Sequence, residues 1–203
     1  MNTRRGTPFA LDAGLYEPVF RAAEQDGIVP ALRALSVLME AEPPAHRDGG
    51  VAASVIGGVP GVPPLAGFTL PGGAVSFGRG APFLAPDRWR LGLLWLRLGS
   101  SAGRRRTCVR WLASRRSGGG DLLRFQMIKG QLADVLVEHQ EIAAALDGIS
   151  LSPAMTLHLH DRITAADRAV LGLFGAAGFL RDGPGGEAHV SELLADVYAE
   201  GRG

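Results

Sequence analysis

The sequence predicts a mainly α-helical protein built around an antiparallel helical bundle. Apolar residues recur at three- and four-residue steps over residues 122–146, which is the period of a helix with one buried face. Long segments of this kind alternate with short breaks such as the glycine run at 118–120, and long helices with short connections pack antiparallel. Hydrophobic residues make up 46% of the chain, which is enough to form a core.

Residues 1–42 form the first of three predicted segments. We expect two short amphipathic helices, over residues 15–24 and 29–42, with breaks at Gly27 and Pro30 because glycine and proline interrupt helices. Their apolar side chains are suited to packing against another element or against a second subunit.

Residues 43–86 form a Pro/Gly-rich segment. Its glycines and prolines mark turns at 57–61 and 70–73, which separate short apolar runs at 52–56 and 74–77. These runs fit short strands, and the segment is too short to form a separate barrel.

Residues 87–203 form the predicted bundle. Its first helix begins at Asp87, a residue type that caps helices, and is expected to end near Ser114. The second helix spans 122–146. The third begins at Pro153, where the missing N–H is not needed, and the last covers 188–200.

Short motifs recur in a fixed order through the bundle. Each is weak alone, but together they span roughly residues 87–198, a little over half of the chain. In order, they are Leu98-Gly99, Arg115, Phe125-Gln126, Leu132-Ala133-Asp134, Gly172, Gly175-Ala176 and Gly178-Phe179.

This order and spacing resemble the C-terminal helical domain of the acyl-CoA dehydrogenase family. The resemblance implies FAD as the cofactor, with Arg115, Gln126, Gly175 and Gly178 at positions that contact the dinucleotide. Neither the family's N-terminal domain nor a full middle β-domain is recognisable in this sequence. FAD is therefore expected to bind only with a partner chain or in a homo- or hetero-oligomer.

The resemblance implies two candidates for the catalytic base. The family commonly has a Glu in an Ile-Tyr-Glu-Gly-Thr ending, and here Glu200 lies one residue beyond the aligned position. One step on a helix turns a side chain by about 100°. Other members place the base before the Leu-Gly helix, where Asp87 is the available acid. The sequence also departs from the family at Gly118-Gly119, in place of Phe-Gly, and at Gly172, in place of Gln.

Ten arginines between residues 88 and 124 form the main charge feature. They are Arg88, Arg90, Arg97, Arg104, Arg105, Arg106, Arg110, Arg115, Arg116 and Arg124. Two interpretations remain open: a surface for a phosphate-bearing or acidic partner, and a solvated helix face whose arginines pair with acids elsewhere.

Other side chains indicate little further chemistry. His158 and His160 lie two residues apart on a helix and point to nearly opposite sides, so we expect no metal site. His139 and Cys108 fit packing positions. The net charge of +1 and the absence of a long apolar run predict a cytoplasmic protein that binds neither nucleic acid nor membrane.

Three functions fit these patterns. The first is a helical-domain subunit that assists FAD-dependent α,β-desaturation of an acyl-CoA or acyl-carrier-protein thioester with a partner chain. The second is a redox-inactive homologue that acts as a cyclase or isomerase on a carrier-bound biosynthetic intermediate. The third is a non-catalytic scaffold whose arginines dock an acidic partner.

Overall fold

The computed structural model describes residues 13–40, 51–54, 64–79, 86–148, 152–180 and 183–198. This part of the chain is mainly helical, which confirms the predicted class, and no helix in it is long and apolar enough to cross a membrane. Its α-helices are α1 (Ala13–Asp26), α2 (Ile28–Met39), α3 (Asp87–Ser114), α4 (Gln126–Gly148), α5 (Pro153–Phe174) and α6 (Gly185–Tyr198). Short 3-10 turns precede α4 at Leu122–Arg124 and follow α5 at Gly175–Phe179.

Helix α3 is the centre of the bundle and packs against all the other α-helices of the described chain. Successive helices from α3 to α6 run antiparallel, as predicted. Pairs of contacts fix these directions. Arg97 meets His160 and Arg104 meets Asp167, so α5 runs parallel to α3. Arg97 meets Ser191 and Arg104 meets the Pro184 carbonyl, so α6 runs antiparallel to α3. The N–H of Leu122, before α4, bonds to the Arg115 carbonyl at the end of α3, and His139 meets Ser101 farther back, so α4 is antiparallel as well.

Glycines on α3 let the N-terminal helices approach its backbone. A Cβ at Gly99 would lie 2.4 Å from the carbonyl oxygen of Phe20, and one at Gly103 would lie 2.5 Å from that of Glu24. Both oxygens belong to α1. The Leu98-Gly99 motif therefore has a packing reason, since only glycine leaves room for α1 at this crossing.

The Pro/Gly-rich segment contains a small antiparallel sheet, as its apolar runs predict. Strands β1 (Val51–Ser54), β2 (Pro64–Leu70) and β3 (Gly73–Arg79) are ordered β1-β3-β2. Gly72, with φ of 83°, turns the chain between β2 and β3. The hydroxyl oxygen of Tyr198 accepts a hydrogen bond from the N–H of Ala53 at 2.8 Å, which ties α6 to the sheet.

Several predicted boundaries need correction. Pro30 does not break a helix but lies in the first turn of α2, where its missing N–H leaves no bond unmade. Asp87 is the first residue of α3 rather than its cap, a position that Pro86 takes. Phe125 precedes α4 and is exposed instead of facing the core. Glu200 lies outside the described residues.

We predict that Gly99→Ala destabilises the fold by about 1–3 kcal/mol, because the added methyl group meets the α1 backbone. Gly130→Ala is the matched control, since a Cβ at that position of α4 meets nothing within 4 Å. It should leave stability unchanged or raise it by up to about 1 kcal/mol. Urea unfolding of both variants measures the difference, and equal effects would contradict the close approach of α1.

Candidate functional site

Three helix ends meet at one end of the bundle, where α3 stops, α4 starts and α5 stops. Leu112, Leu132 and Phe174 belong to one buried cluster that joins these ends. Between α3 and α4 the chain forms a small hairpin of β4 (Arg116–Ser117) and β5 (Gly120–Asp121), turned by glycines with φ of 57° and 84°. We call this region, residues 111–127 and 174–180, the hairpin end.

The hairpin end brings together all four residues that the resemblance assigns to the dinucleotide. Arg115 follows the last residue of α3, Gln126 is the first residue of α4, and Gly175 and Gly178 lie in the turn after α5. A hydrogen bond of 3.0 Å from the N–H of Leu122 to the carbonyl of Arg115 joins the turn before α4 to the end of α3.

Arg115 is held by an aromatic ring. Its guanidinium carbon lies 3.7 Å from the centroid of the Trp111 ring, and that ring in turn contacts Phe174 at 6.1 Å between centroids. Stacking fixes the plane of the guanidinium and leaves its N–H edge available for a planar or tetrahedral anion.

The two glycines of the turn differ in their physical role. Gly175 has φ of 59° and open space around it, because a Cβ there would meet nothing within 4 Å. A Cβ at Gly178 would instead lie 2.8 Å from the carbonyl oxygen of Leu171. Gly178 is therefore required by packing, whereas Gly175 leaves its backbone accessible to a ligand.

The surface of the hairpin end is cationic and apolar together. Arg115, Arg116 and Arg124 are exposed, and none of them forms an ion pair with a carboxylate of the described chain. Phe125 and Met127, next to Arg124 in sequence, are 47% and 75% exposed, and Phe179 in the turn after α5 is 72% exposed. Exposed apolar groups of this size can serve as contact area for a partner.

These residues fit one side of a flavin dinucleotide. Arg115 offers charged donors for a pyrophosphate, the open turn at Gly175 lets a ligand approach the backbone, and the apolar side chains offer contact area for the flavin ring system. They form an open surface, and two cavities of the described chain, one beside α5 and α6 and one beside α1 and β2, are lined by neither Arg115 nor Gln126. A cofactor bound here would need a second surface to enclose it.

Of the two candidate bases, the structure describes only Asp87, and Asp87 does not lie beside the hairpin end. Asp87 begins α3, and a helix of 28 residues places it about 40 Å from Arg115. Its carboxylate is exposed and pairs with Arg90 at 2.5 Å. Glu200, the other candidate, lies beyond the described residues.

The arginine cluster is not one surface, because two of its members are buried. Arg97 is fully buried, with Nε donating to Ser191 Oγ at 2.9 Å and a terminal nitrogen donating to Thr164 Oγ1 at 2.8 Å. Another terminal nitrogen lies 2.8 Å from His160 Nδ1 and donates to the His160 carbonyl at 3.2 Å. Arg97 thus ties α3 to α5 and α6, a role that the sequence analysis missed.

Arg104 is the second buried member. It forms an ion pair with Asp167, and the two side chains are only 1% and 5% exposed. It also donates to the carbonyl of Pro184 at 3.3 Å and to Ser100 Oγ at 3.2 Å. A buried charge needs such a complete set of partners, so this pair fixes α3, α5 and the approach to α6 together.

His139 forms the third buried polar contact of α3. Its Nε2 lies 2.9 Å from Ser101 Oγ, and its buried Nδ1 has no hydrogen-bond partner among the described residues. Burial, and next the positive charge of Arg105, lowers the pKa of His139 to about 4. The imidazole is therefore neutral at physiological pH and joins α3 to α4.

Cys108 and the histidine pair show no metal chemistry in the described chain. Cys108 is fully buried, and burial raises its pKa to about 11, which keeps it a packing thiol. His158 is exposed while His160 is buried against Arg97, in agreement with their expected opposite directions. Residues 13–198, where described, contain no group of three or more potential ligands suited to a metal ion.

We predict that the stability of the protein falls as the pH is lowered from about 6.5 to about 4. In that range the unfolded chain binds a proton at His139 and the folded chain does not, so acid favours unfolding, by up to roughly 3 kcal/mol in full. His139→Gln should flatten this part of the pH profile, whereas the exposed control His158→Gln should not. The unfolding free energies of both variants are measured across this pH range. Identical pH profiles would contradict the role of His139.

We also predict that Asp167→Asn destabilises the fold by about 3–5 kcal/mol, because it leaves the Arg104 charge buried without its counter-charge. The double variant Arg104→Met/Asp167→Leu should recover most of this loss. Arg168→Met, which removes an exposed pair with Glu192, should cost less than about 1 kcal/mol. A double-mutant cycle by denaturant unfolding checks this, and additive single effects would contradict it.

No protein-family model matches the chain, and no curated protein matches its sequence. A solved glutaryl-CoA dehydrogenase from Mycobacterium smegmatis in complex with FADH2 is similar, with 18% identity and a TM-score of 0.48 over 74% of this chain and 48% of its own. An acyl-CoA dehydrogenase from Slackia heliotrinireducens has 13% identity and a TM-score of 0.48 over 77% of this chain and 46% of its own. FkbI, for biosynthesis of the methoxymalonyl extender unit of Fk520, has 17% identity and a TM-score of 0.48 over 76% of this chain and 48% of its own. The chain spans about half the length of the structures that it matches.

Proposed function

We propose that the chain is a helical-domain subunit that supplies one side of a flavin site. In this proposal, a partner chain or a second copy supplies the other side, and the assembly performs FAD-dependent α,β-desaturation of an acyl thioester. A bound flavin would accept the electrons released by that desaturation. The thioester is carried by coenzyme A or by an acyl carrier protein.

One observation carries the proposal. The four positions that the sequence motifs assign to the dinucleotide are dispersed over sixty-odd residues of sequence, from 115 to 178. In the fold they lie at a single end of the bundle, beside exposed cations and exposed apolar side chains. Arg115, Gln126 and Gly175 are exposed there, whereas Gly178 is required by packing of the turn.

The electrostatics of this surface support a phosphate-bearing ligand. Three exposed guanidinium groups with no ion pair to the described carboxylates repel one another, and an anion relieves that repulsion. Stacking on Trp111 pre-orients the Arg115 guanidinium, so less conformational entropy is lost when it grips a pyrophosphate. The apolar neighbours would exclude water from that contact.

The partner follows from what the hairpin end lacks. A flavin and an acyl chain both need enclosure, because proton abstraction and electron transfer require a dry and oriented site. The exposed side chains Phe125, Met127 and Phe179 offer the area on which a second subunit can close. The base comes from that subunit, and in a second copy of this chain it would be Glu200, because Tyr198, two residues earlier, packs on Trp89 near the start of α3.

We predict that the chain binds FAD when it is assembled with a second copy or with its partner chain, and that Arg115→Ala weakens this binding by about tenfold or more, since a charged hydrogen bond contributes roughly 1.5–3 kcal/mol. Arg88→Ala is the matched control, because Arg88 is exposed on the same helix but at its opposite end. Titration of FAD fluorescence against each protein gives the affinities.

Unchanged affinity in Arg115→Ala, or equal losses in both variants, would contradict the proposed site. An absence of FAD binding by an assembly that contains the chain would contradict it as well. Circular dichroism of each variant shows whether the helices are retained.

A further inference from the structure

A cavity of about 790 Å³ is lined by none of the residues assigned to the flavin. The C-terminal part of α1, strand β2, helix α3 and the start of α6 line it, and it is open to solvent on one side. Its volume is within the range of about 300–1,000 Å³ that small-molecule sites occupy. We call it the α1–β2 cavity.

The α3 wall of the cavity carries one available cation. Arg104 also lines it but is committed to Asp167, Ser100 and the Pro184 carbonyl. Arg110 is exposed, donates only to Thr107 Oγ1 at 3.1 Å, and pairs with no carboxylate of the described chain. Its remaining N–H groups can bind an anionic group.

The wall formed by the end of α1 and the start of α6 carries two described carboxylates that pair with no described cation. Glu24 also lines the cavity, but Arg106 at 3.4 Å and Arg21 at 3.5 Å neutralise it. Asp26 forms no ion pair or hydrogen bond with the described residues. Glu187 accepts a hydrogen bond from the N–H of Ile28 at 3.0 Å through Oε1 and pairs with no described cation.

An apolar surface lies between the charged walls. Phe68 and Leu70, on one face of β2, line the cavity and are half-buried. The ring of Phe68 is held edge-on against Phe77 at 6.0 Å and against His189 at 5.5 Å between centroids. This part of the lining is therefore fixed in place and suits an aliphatic segment.

We propose that the α1–β2 cavity binds a small zwitterion whose amine and anionic group are separated by an aliphatic segment. The ammonium group would pair with Asp26 and Glu187, the carboxylate or phosphate with Arg110, and the aliphatic part would lie on Phe68 and Leu70. An anion alone would approach two uncompensated carboxylates, and a cation alone would approach an uncompensated guanidinium. Only a ligand with both charges matches the two walls.

Three probes that share one aliphatic length separate these cases. They are 5-aminopentanoate, which carries both charges, pentanoate, which carries the anion alone, and pentylamine, which carries the cation alone. Titration calorimetry of the whole chain at millimolar probe concentration measures each affinity. We expect saturable binding of 5-aminopentanoate at least about tenfold tighter than that of either single-charge probe.

Two variants assign the walls. Arg110→Gln should weaken 5-aminopentanoate binding by about tenfold, to an affinity close to that of pentylamine, because only the carboxylates still pair with the ligand. Asp26→Asn should weaken it by about tenfold as well, to an affinity close to that of pentanoate. Arg88→Gln and Asp147→Asn are the matched controls, because both residues are exposed and neither lines the cavity. They should leave binding unchanged.

Equal binding of all three probes, no binding of 5-aminopentanoate, or equal losses in test and control variants would each overturn the proposal. All four positions are exposed, so their substitution should preserve the fold, which circular dichroism checks. The outcome is independent of FAD binding, since Arg115 is not substituted in this experiment.

Discussion

The buried guanidinium of Arg97 is the constraint on which the rest of the bundle depends. A guanidinium can leave water only where hydrogen-bond acceptors meet its fixed planar fork, and here acceptors come from α5 and α6 at once. Because these bonds have strict geometry, they fix the height of α5 and α6 along α3. Seven residues later, Arg104 repeats this arrangement with Asp167 and the Pro184 carbonyl.

Both candidate binding regions follow from this central row of polar contacts. Because α5 is held parallel to α3, its end at Phe174 lies beside Trp111, and the Trp111 ring stacks on Arg115. With the Pro184 carbonyl held by Arg104, the start of α6 forms one wall of the α1–β2 cavity. The hairpin end and the α1–β2 cavity are thus both positioned by α3.

Helix positions could be predicted from the sequence because they depend on local periodicity and on proline and glycine breaks, as the limits of α3 and the Pro153 start of α5 show. The grouping of Arg115, Gln126 and Gly175 also follows once the helices alternate in direction. The burial of Arg97 and Arg104 could not be predicted, since charged residues are typical of surfaces and their partners lie more than sixty residues away. Strand β2 was missed because Pro64 and Gly67 are rare inside strands.

The central claim is that FAD binds at the hairpin end rather than in a cavity of the chain. Hydrogen–deuterium exchange of the chain in its assembly with a second copy or a partner chain, measured with and without saturating FAD, tests this claim by location. Within this chain, we expect slower exchange confined to residues 115–126 and 175–180. Protection centred instead on the residues that line the α1–β2 cavity, or no protection in the hairpin end, would contradict it.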